Sequence, residues 1–440
     1  MNAATIRMLL RPAPGSRATV AIPATAFAIV TALVLTVVGG AQSFWGWTDP
    51  EAPVYQMLAV VALVLLIMPL ASLGGAAARL SARRRDERLS TLRLLGVAPM
   101  GVSVLTVIES MVIAGSGVLA GILGHLVLAP AVGLIPFRGA PLGVGAVLLP
   151  PALIAAVCSG ALLLAAVSSV LGLRRLVVSP LGVRMRAQAK GVHWVRAVLA
   201  AALLAVAFLG AQAVPSMAGA VAITAVLAVL FAGAIGLLNL VGPWTLKARS
   251  RRQAKRAETP ERLLAARIVL DDPKAAWRQV SGIAMISFVA VFAGTGMSVM
   301  NLISSSGASA EDIALLADMR TGLIITLVVS FLMVAASVGV SQASDLLDQR
   351  PLHRSLHHLG VPLHTVDAAR RRAVMTPLLQ TAVGAALCGG VLVLPLLGLA
   401  VIAAPLSLMT IALVLAVGIL LVWLSTRATR PLLRPAFAAQ

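Results

Sequence analysis

The 440 residues have a mean hydropathy of +0.99, are 60% hydrophobic and only 11% charged. Soluble domains carry about 25% charged residues, so a water-facing globule cannot be built from this composition. The formal charge of +20 would suggest nucleic acid in a soluble protein. In a chain this apolar the excess belongs to membrane topology, and the expected partner is the lipid bilayer, with no nucleic acid.

A helix needs about 20 apolar residues to cross the ~30 Å hydrocarbon core, and it satisfies its own backbone hydrogen bonds there. On that rule ten spans are expected, near 18–41, 55–78, 99–128, 144–172, 197–213, 217–241, 280–302, 321–344, 373–398 and 403–426. The fifth is short and Ala-rich. The first run exceeds a signal-peptide core and lacks a small-residue cleavage site before the next span, so no cleavable leader is expected. Between the first two spans, "SFWGWTDP" places Trp45 and Trp47 in an interfacial aromatic belt. Contact with a lipid-like substrate is the alternative for both. In the third span Gly117 and Gly121 form a G-x-x-x-G, the pattern of close helix packing. Glu109, ~15 Å along that span from Pro99, is the only carboxylate well inside an apolar run. We read it as holding the adjoining cytoplasmic segment in place, with proton or substrate binding as the alternative. Cys158 and Cys388 lie in apolar runs and read as small packing residues.

Orientation follows from the basic residues between the spans. With a cytoplasmic N-terminus, 33 of the 35 Lys and Arg fall inside, and only Arg138 and Arg320 outside. Both termini are therefore expected in the cytoplasm. The longest outer loop is roughly 303–320, too short for an extracellular domain. The basic residues are 31 Arg and 4 Lys, a bias of GC-rich bacterial genomes, so a bacterial plasma membrane is the expected location.

The second half of the chain echoes the first. "IRMLLRPAPGSRATVAI" (6–22) is similar to "ARIVLDDPKAAWRQVSGI" (266–283), and "STLRLLGV" (90–97) to "RSLHHLGV" (354–361), an offset of 264 residues. The copies lie six spans apart, an even number, so they are parallel. The expected fold is thus all-α: a first four-span repeat at 1–185, two linking spans with an Arg-rich linker at 186–260, and a second four-span repeat at 261–440.

Each copy places a polar cytoplasmic segment between its second and third spans. In the first, Leu92 and Leu95 sit three apart on one helical face with Arg85 and Arg88 nearby; Gly96 stops the helix and Pro99 prevents its continuation. In the second, Leu352, Leu356 and Leu359 form the stripe, Gly360 is the stop and Pro362 follows. A loop needed only for charge has no reason to repeat an apolar stripe and a stop. A short amphipathic helix presented twice suits docking on a partner with two equivalent sites. His353, His357, His358 and His364 cluster on the second copy. They read as polar residues of the docking helix, with a metal site as the alternative.

At these residues the sequence resembles the FtsX/MacB-like permease family, the membrane subunits of a class of ABC transporters. "RRRDERLSTLRLLGVAPMGVSVLTVIES" (83–110) supplies the arginine- and acid-rich turn, Leu95-Gly96, and Glu109 at the family's spacing. The second copy keeps Leu359 and Gly360, while His357 and His358 replace a basic–apolar pair and Ala373 stands where the Glu would be. The ten-span arrangement is similar to bacitracin-export permeases, without their large external domain. The resemblance implies a separate cytoplasmic ATPase in two copies, which would bind the ATP and Mg; this chain would hold no cofactor. Arg84, Arg85, Arg88, Leu92, Arg93, Leu95, Gly96, Leu352, Leu356, His357, Leu359 and Gly360 would form the two coupling helices. The implied work is export, or extraction from the membrane, of an amphipathic or hydrophobic peptide, lipid or antibiotic, hence efflux and antibiotic resistance.

No G-x-x-x-x-G-K-[ST] occurs, so ATP hydrolysis is not encoded here. No Ser/His/Asp set or Cys/His metal spacing stands out, and the chain is expected to have neither catalytic residues nor a metal. Two other readings stay open. A secondary transporter would be expected to carry more buried charge and inverted repeats. A mechanical signal transmitter would need more external surface for its partner.

Overall fold

A computed structural model describes residues 17–83, 99–177, 220–304, 309–348, 352, 355–356, 358–394, 398, 401 and 405–429. They form α1 (Arg17–Gln42), α2 (Ala52–Arg83), α3 (Pro99–Gly133), α4 (Pro151–Val177), α5 (Ala220–Lys255), α6 (Pro260–Asp271), α7 (Pro273–Ser304), α8 (Ala310–Asp348), α9 (Leu363–Leu392) and α10 (Pro405–Ala428). The one sheet among the described residues is a hairpin of β1 (Pro136–Phe137) and β2 (Ala140–Pro141) between α3 and α4.

Local chemistry sets many of these boundaries. Five helices (α3, α4, α6, α7 and α10) open on proline, whose fixed φ suits the first helical turn and whose missing N–H costs nothing there. Asp272 precedes α7 and its carboxylate accepts the N–H of Ala275 at 2.9 Å, an N-cap. Ser309 and Asp312 cap α8 reciprocally: the Asp312 N–H donates to Ser309 Oγ at 3.2 Å and the Ser309 N–H to Asp312 Oδ2 at 3.2 Å, a capping box.

The chain is a polytopic helical membrane protein. Among the described residues seven helical stretches are long and apolar enough to cross a bilayer: Ala21–Gly46, Val107–Gly133, Pro151–Val170, Pro273–Met300, Glu311–Leu346, Leu363–Leu392 and Leu408–Ala428. An eighth is α2, bent by 42° between Ala52–Ile67 and Pro69–Ala77, where Pro69 cannot supply a helical hydrogen bond. The span expected at 197–213 lies outside the described residues, and that at 217–241 overlaps α5 from residue 220 on, a helix that is not among these eight. The loop expected over 303–320 is largely helical: α7 runs to Ser304 and α8 begins at Ala310. Glu311, Asp312 and Arg320 read as loop by their charge, but charged residues cap and extend a helix end without difficulty.

The fold divides into two compact units. The first comprises Met1–Met185 and Ala317–Gln349. Its core joins Phe27 and Val30 of α1, Leu66 and Leu73 of α2, Ala114 of α3, Ala165 of α4, and Met333 and Val340 of α8. A helix that the repeat pattern assigns to the second half therefore packs with the first-half helices. Within this unit α3 lies against α1 so closely that side chains have no room: a Cβ on Gly117 would meet Phe27 Cβ at 2.7 Å, and one on Gly121 would meet Thr31 Cβ at 2.6 Å. The G-x-x-x-G thus forms a backbone-to-backbone seam.

The second unit comprises Arg186–Leu316 and Arg350–Gln440. Here α7 packs against α9 around buried Ile283, Phe288 and Leu378, with Phe288 stacked on Phe292 at 5.8 Å. On its other side, Trp277 of α7 lies over Gly242 of α5, and its indole N–H donates to Asn239 Oδ1 at 3.2 Å.

Candidate functional site

Of the two expected docking elements, the one with Arg84, Arg85, Arg88, Leu92, Arg93, Leu95 and Gly96 lies outside the described residues, as do His353 and His357 of the other. In the second element the residues 355, 356 and 358 are helical. Leu352 and Leu359 are 54% and 78% exposed, Leu356 is half-buried, and His358 and His364 are exposed. Gly360 takes φ +79°, a left-handed conformation that costs a residue with a Cβ about 1–2 kcal/mol. The Val361 N–H then reaches back to the Leu356 carbonyl at 3.0 Å, and the Leu359 N–H to Ser355 at 3.1 Å. The six-to-one bond is that of a Schellman stop. Pro362 follows as the N-cap of α9, so one short helix ends and a long one starts within a two-residue elbow. Two leucines are left on the surface beside that elbow.

The first turns of α9 are fastened to the end of α10. Asp367, 2% exposed, lies 3.3 Å from Arg370 Nη2 and 3.4 Å from Arg371 Nε. Arg370 in turn donates to Thr429 Oγ1 at 2.8 Å and to the Thr426 carbonyl at 3.3 Å, satisfying a terminal carbonyl of α10. The elbow is therefore carried on a cross-braced pair of helices, while Arg372 reaches Glu261 of α6 at 3.7 Å.

A second polar cluster sits in the first unit, at the ends of α2, α3 and α8 that face the hairpin. The turn residues Arg138 and Gly139 have φ +53° and +76°, the type I′ geometry of two-residue hairpins. An arginine in this position costs about 1–2 kcal/mol. Its N–H donates to Asp318 Oδ2 at 2.9 Å, and a hydrogen bond to a charged group returns about 1.5–3 kcal/mol, so the conformation is held. The guanidinium pairs with Asp49, lies 3.5 Å from Glu51, and stacks 4.2 Å above Trp47 and 4.6 Å above Tyr55. Tyr55 donates its own hydroxyl to Asp318 at 2.7 Å. Trp47 is thus committed to packing with Phe44, Tyr55 and Arg138, whereas Trp45 is 49% exposed. Replacing Asp318 with Ala would leave two donors without their acceptor, at about 1–3 kcal/mol for each such group. Because water can partly replace it at a helix end, we expect a loss of about 2 kcal/mol, read as a lowered unfolding temperature in detergent. An unchanged value would exclude the cluster as a brace.

Glu109 and His125 are the ionisable side chains of the α3 span. Glu109 is half-buried and has an interaction partner. His125 is fully buried; its Nδ1 lies 3.2 Å from Thr36 Oγ1, which itself donates to the Ala32 carbonyl at 2.7 Å. That arrangement assigns the imidazole proton to Nδ1 and leaves Nε2 without a hydrogen-bond partner among the described residues. No group of three or more His, Cys, Asp or Glu is placed to hold a metal among the described residues, and Cys158 and Cys388 are free thiols.

The sequence reading passed over His125, Asp367 and the Arg138–Asp318 cluster. A signal for the last was present: Arg138 is one of the two basic residues that the charge count sets apart from the other 33, and it occupies an Arg-Gly turn between Pro136 and Pro141. Comparison with protein-family models, curated proteins and solved structures finds no match.

Proposed function

We propose that this chain is the membrane subunit of an ABC transporter of the FtsX-like kind, with ten spans in two parallel repeats and both termini in the cytoplasm of a bacterium. Two coupling helices, at 83–97 and 349–361, seat in grooves on two copies of a separate ATPase. Closure of the ATPase dimer draws them together. Each long helix beyond a coupling elbow then moves as a rigid rod. The cargo is an amphipathic peptide, lipid or antibiotic that arrives through the membrane, since the outer loops are too short to form a water-exposed receptor.

The observation that carries this reading is the exposed leucine stripe closed by a glycine stop at Leu352–Gly360, whose sequence counterpart stands at Leu92–Gly96. Exposed leucines beside a rigid elbow fit insertion into a partner's groove. The Asp367–Arg370–Thr426 bracing supports the transmission step, because a lever must not flex at its root.

The test is co-purification of the full chain with a Walker-motif ATPase encoded beside it. Leu92→Glu and Leu356→Glu each place a charge in a desolvated groove and should abolish stable association. Retention of the ATPase by both variants would sink the docking assignment.

A further inference from the structure

The second unit contains a cleft of about 740 Å³ that the docking elbow does not use. Its walls are Trp244, Arg249 and Arg252 of α5, Arg256 just past its end, Arg262 of α6 and Arg372 of α9. Arg249, Arg252 and Arg256 fall at i, i+3 and i+7, one face of the helix and of the turn that continues it, where the Arg256 N–H bonds the Arg252 carbonyl at 3.2 Å. Five guanidinium groups therefore border one space. Glu261, beside Arg372, is held below the usual carboxylate range by its own backbone N–H and the Thr259 hydroxyl, and further by Arg372 and His364. It stays ionised and balances one cation. Arg249, Arg252, Arg256 and Arg262 have no acidic partner among the described residues. Like charges at this spacing repel, so an anion in the cleft relieves a cost that the empty cleft bears.

The depth of the cleft narrows the kind of anion. The apolar part of α5 ends at Trp244, 38% exposed, a residue type that marks the membrane–water boundary. Arg249 lies about 7.5 Å further along the helix, at the level of phospholipid headgroups. The other wall agrees: α6, 12 residues long, exposes Leu263 and Ile268 beside Arg262 and Arg267, apolar side chains next to basic ones that an anionic lipid surface attracts. Thr376 and Gln380 of α9 complete the lining with uncharged hydrogen-bonding groups.

We propose that this cleft binds an anionic phospholipid by its headgroup, with a headgroup of two phosphates held best. Guanidinium forks take phosphate oxygens in pairs, and several forks in a row exceed what one phosphate can use. The inference needs only that the helices sit in a bilayer; it stands or falls apart from the transporter reading.

The experiment uses the full chain in nanodiscs of phosphatidylcholine, doped with cardiolipin, with phosphatidylglycerol at equal charge, or left undoped with inorganic phosphate in the buffer. Lipid retained on extraction into detergent is read by native mass spectrometry. Cardiolipin should be retained most, and Arg249→Gln/Arg252→Gln/Arg256→Gln should weaken its retention about a hundredfold, from the contribution of each basic residue at an anionic surface. Lys247→Gln/Arg251→Gln, four residues apart on the opposite side of the same helix and outside the cleft lining, should retain it like the native chain. Arg262→Gln, a single change on a separate helix, should weaken retention about fivefold and serves where the triple variant does not fold. Equal cardiolipin retention by native chain and Arg262→Gln or the triple variant would overturn the site. Equal protection by inorganic phosphate, or displacement of the lipid by an oligonucleotide, would overturn the lipid as its occupant.

Discussion

Leucine in place of Gly121 is expected to destabilise the first unit by about 3 kcal/mol or more, at the upper end of what overpacking costs. Helix propensity alone predicts the opposite sign, since removing a glycine from a helix gains about 0.5–1 kcal/mol. Space decides between the two. The first carbon of any side chain at 121 would stand 2.8 Å from the Ala28 carbonyl oxygen and 2.6 Å from Thr31 Cβ. Neither can swing aside, because one is backbone and the other is fixed to it. Gly117, one turn earlier, faces the Ala24 carbonyl and Phe27 Cβ in the same way, so α1 must back away from α3 along two turns. In lipid no hydrophobic force draws the helices together again, because packing contacts are what hold them. Gly115 supplies the control: nothing lies within 4 Å of its added carbon, so Gly115→Ala should be neutral or slightly stabilising. Unfolding of the purified chain in detergent measures both, and equal stability of Gly121→Leu and the native chain would refute the seam.

That seam was readable in the sequence because small residues four apart carry a direct geometric meaning. The long helices were readable for a similar reason: hydropathy counts residues, and a bilayer has a thickness. The stop at Gly360 was readable because glycine followed by proline two positions on leaves a helix no way forward. What stayed hidden depends on partners distant in sequence. Arg138 meets Asp49 across 89 residues and Asp318 across 180, and Tyr55 meets Asp318 across 263, distances that no spacing rule spans. Likewise a resemblance between two stretches of sequence says nothing of which helices are neighbours, so the grouping of Ala317–Gln349 with the first-half helices could not be foreseen. Asp367 was concealed by its company. In a segment that contributes Arg350, Arg354, Arg370, Arg371 and Arg372 to the basic count, one aspartate reads as dilution. Only its burial shows that the arginines three and four positions on fold back over it.

Removal of that carboxylate, as in Asp367→Ala, is expected to cost about 3–5 kcal/mol, the range for breaking a buried pair from one side. The side chain of Asp367 is 3% exposed and that of Arg370 11%, so neither solvent nor salt can take over the lost charge. Arg370 would keep its bonds to Thr429 Oγ1 and the Thr426 carbonyl, but these are dipoles, and a buried guanidinium on dipoles alone is poorly compensated. Asp367→Asn preserves an acceptor of the same shape while removing the charge, and should fall between the native chain and the alanine variant. That ordering separates an electrostatic brace from a packing role, which would place Asn beside the native Asp. The effect should also be directional. The elbow at Gly360 is three residues from the start of α9, and the brace is what joins this start to the end of α10. With the brace gone, the exposed Leu352 and Leu359 remain available to a partner, yet displacement of the elbow no longer moves α10. In the proposed transporter, the ATPase should still co-purify with Asp367→Asn while substrate-dependent stimulation of its hydrolysis falls well below the native level; full stimulation in that variant would show that the force takes another route.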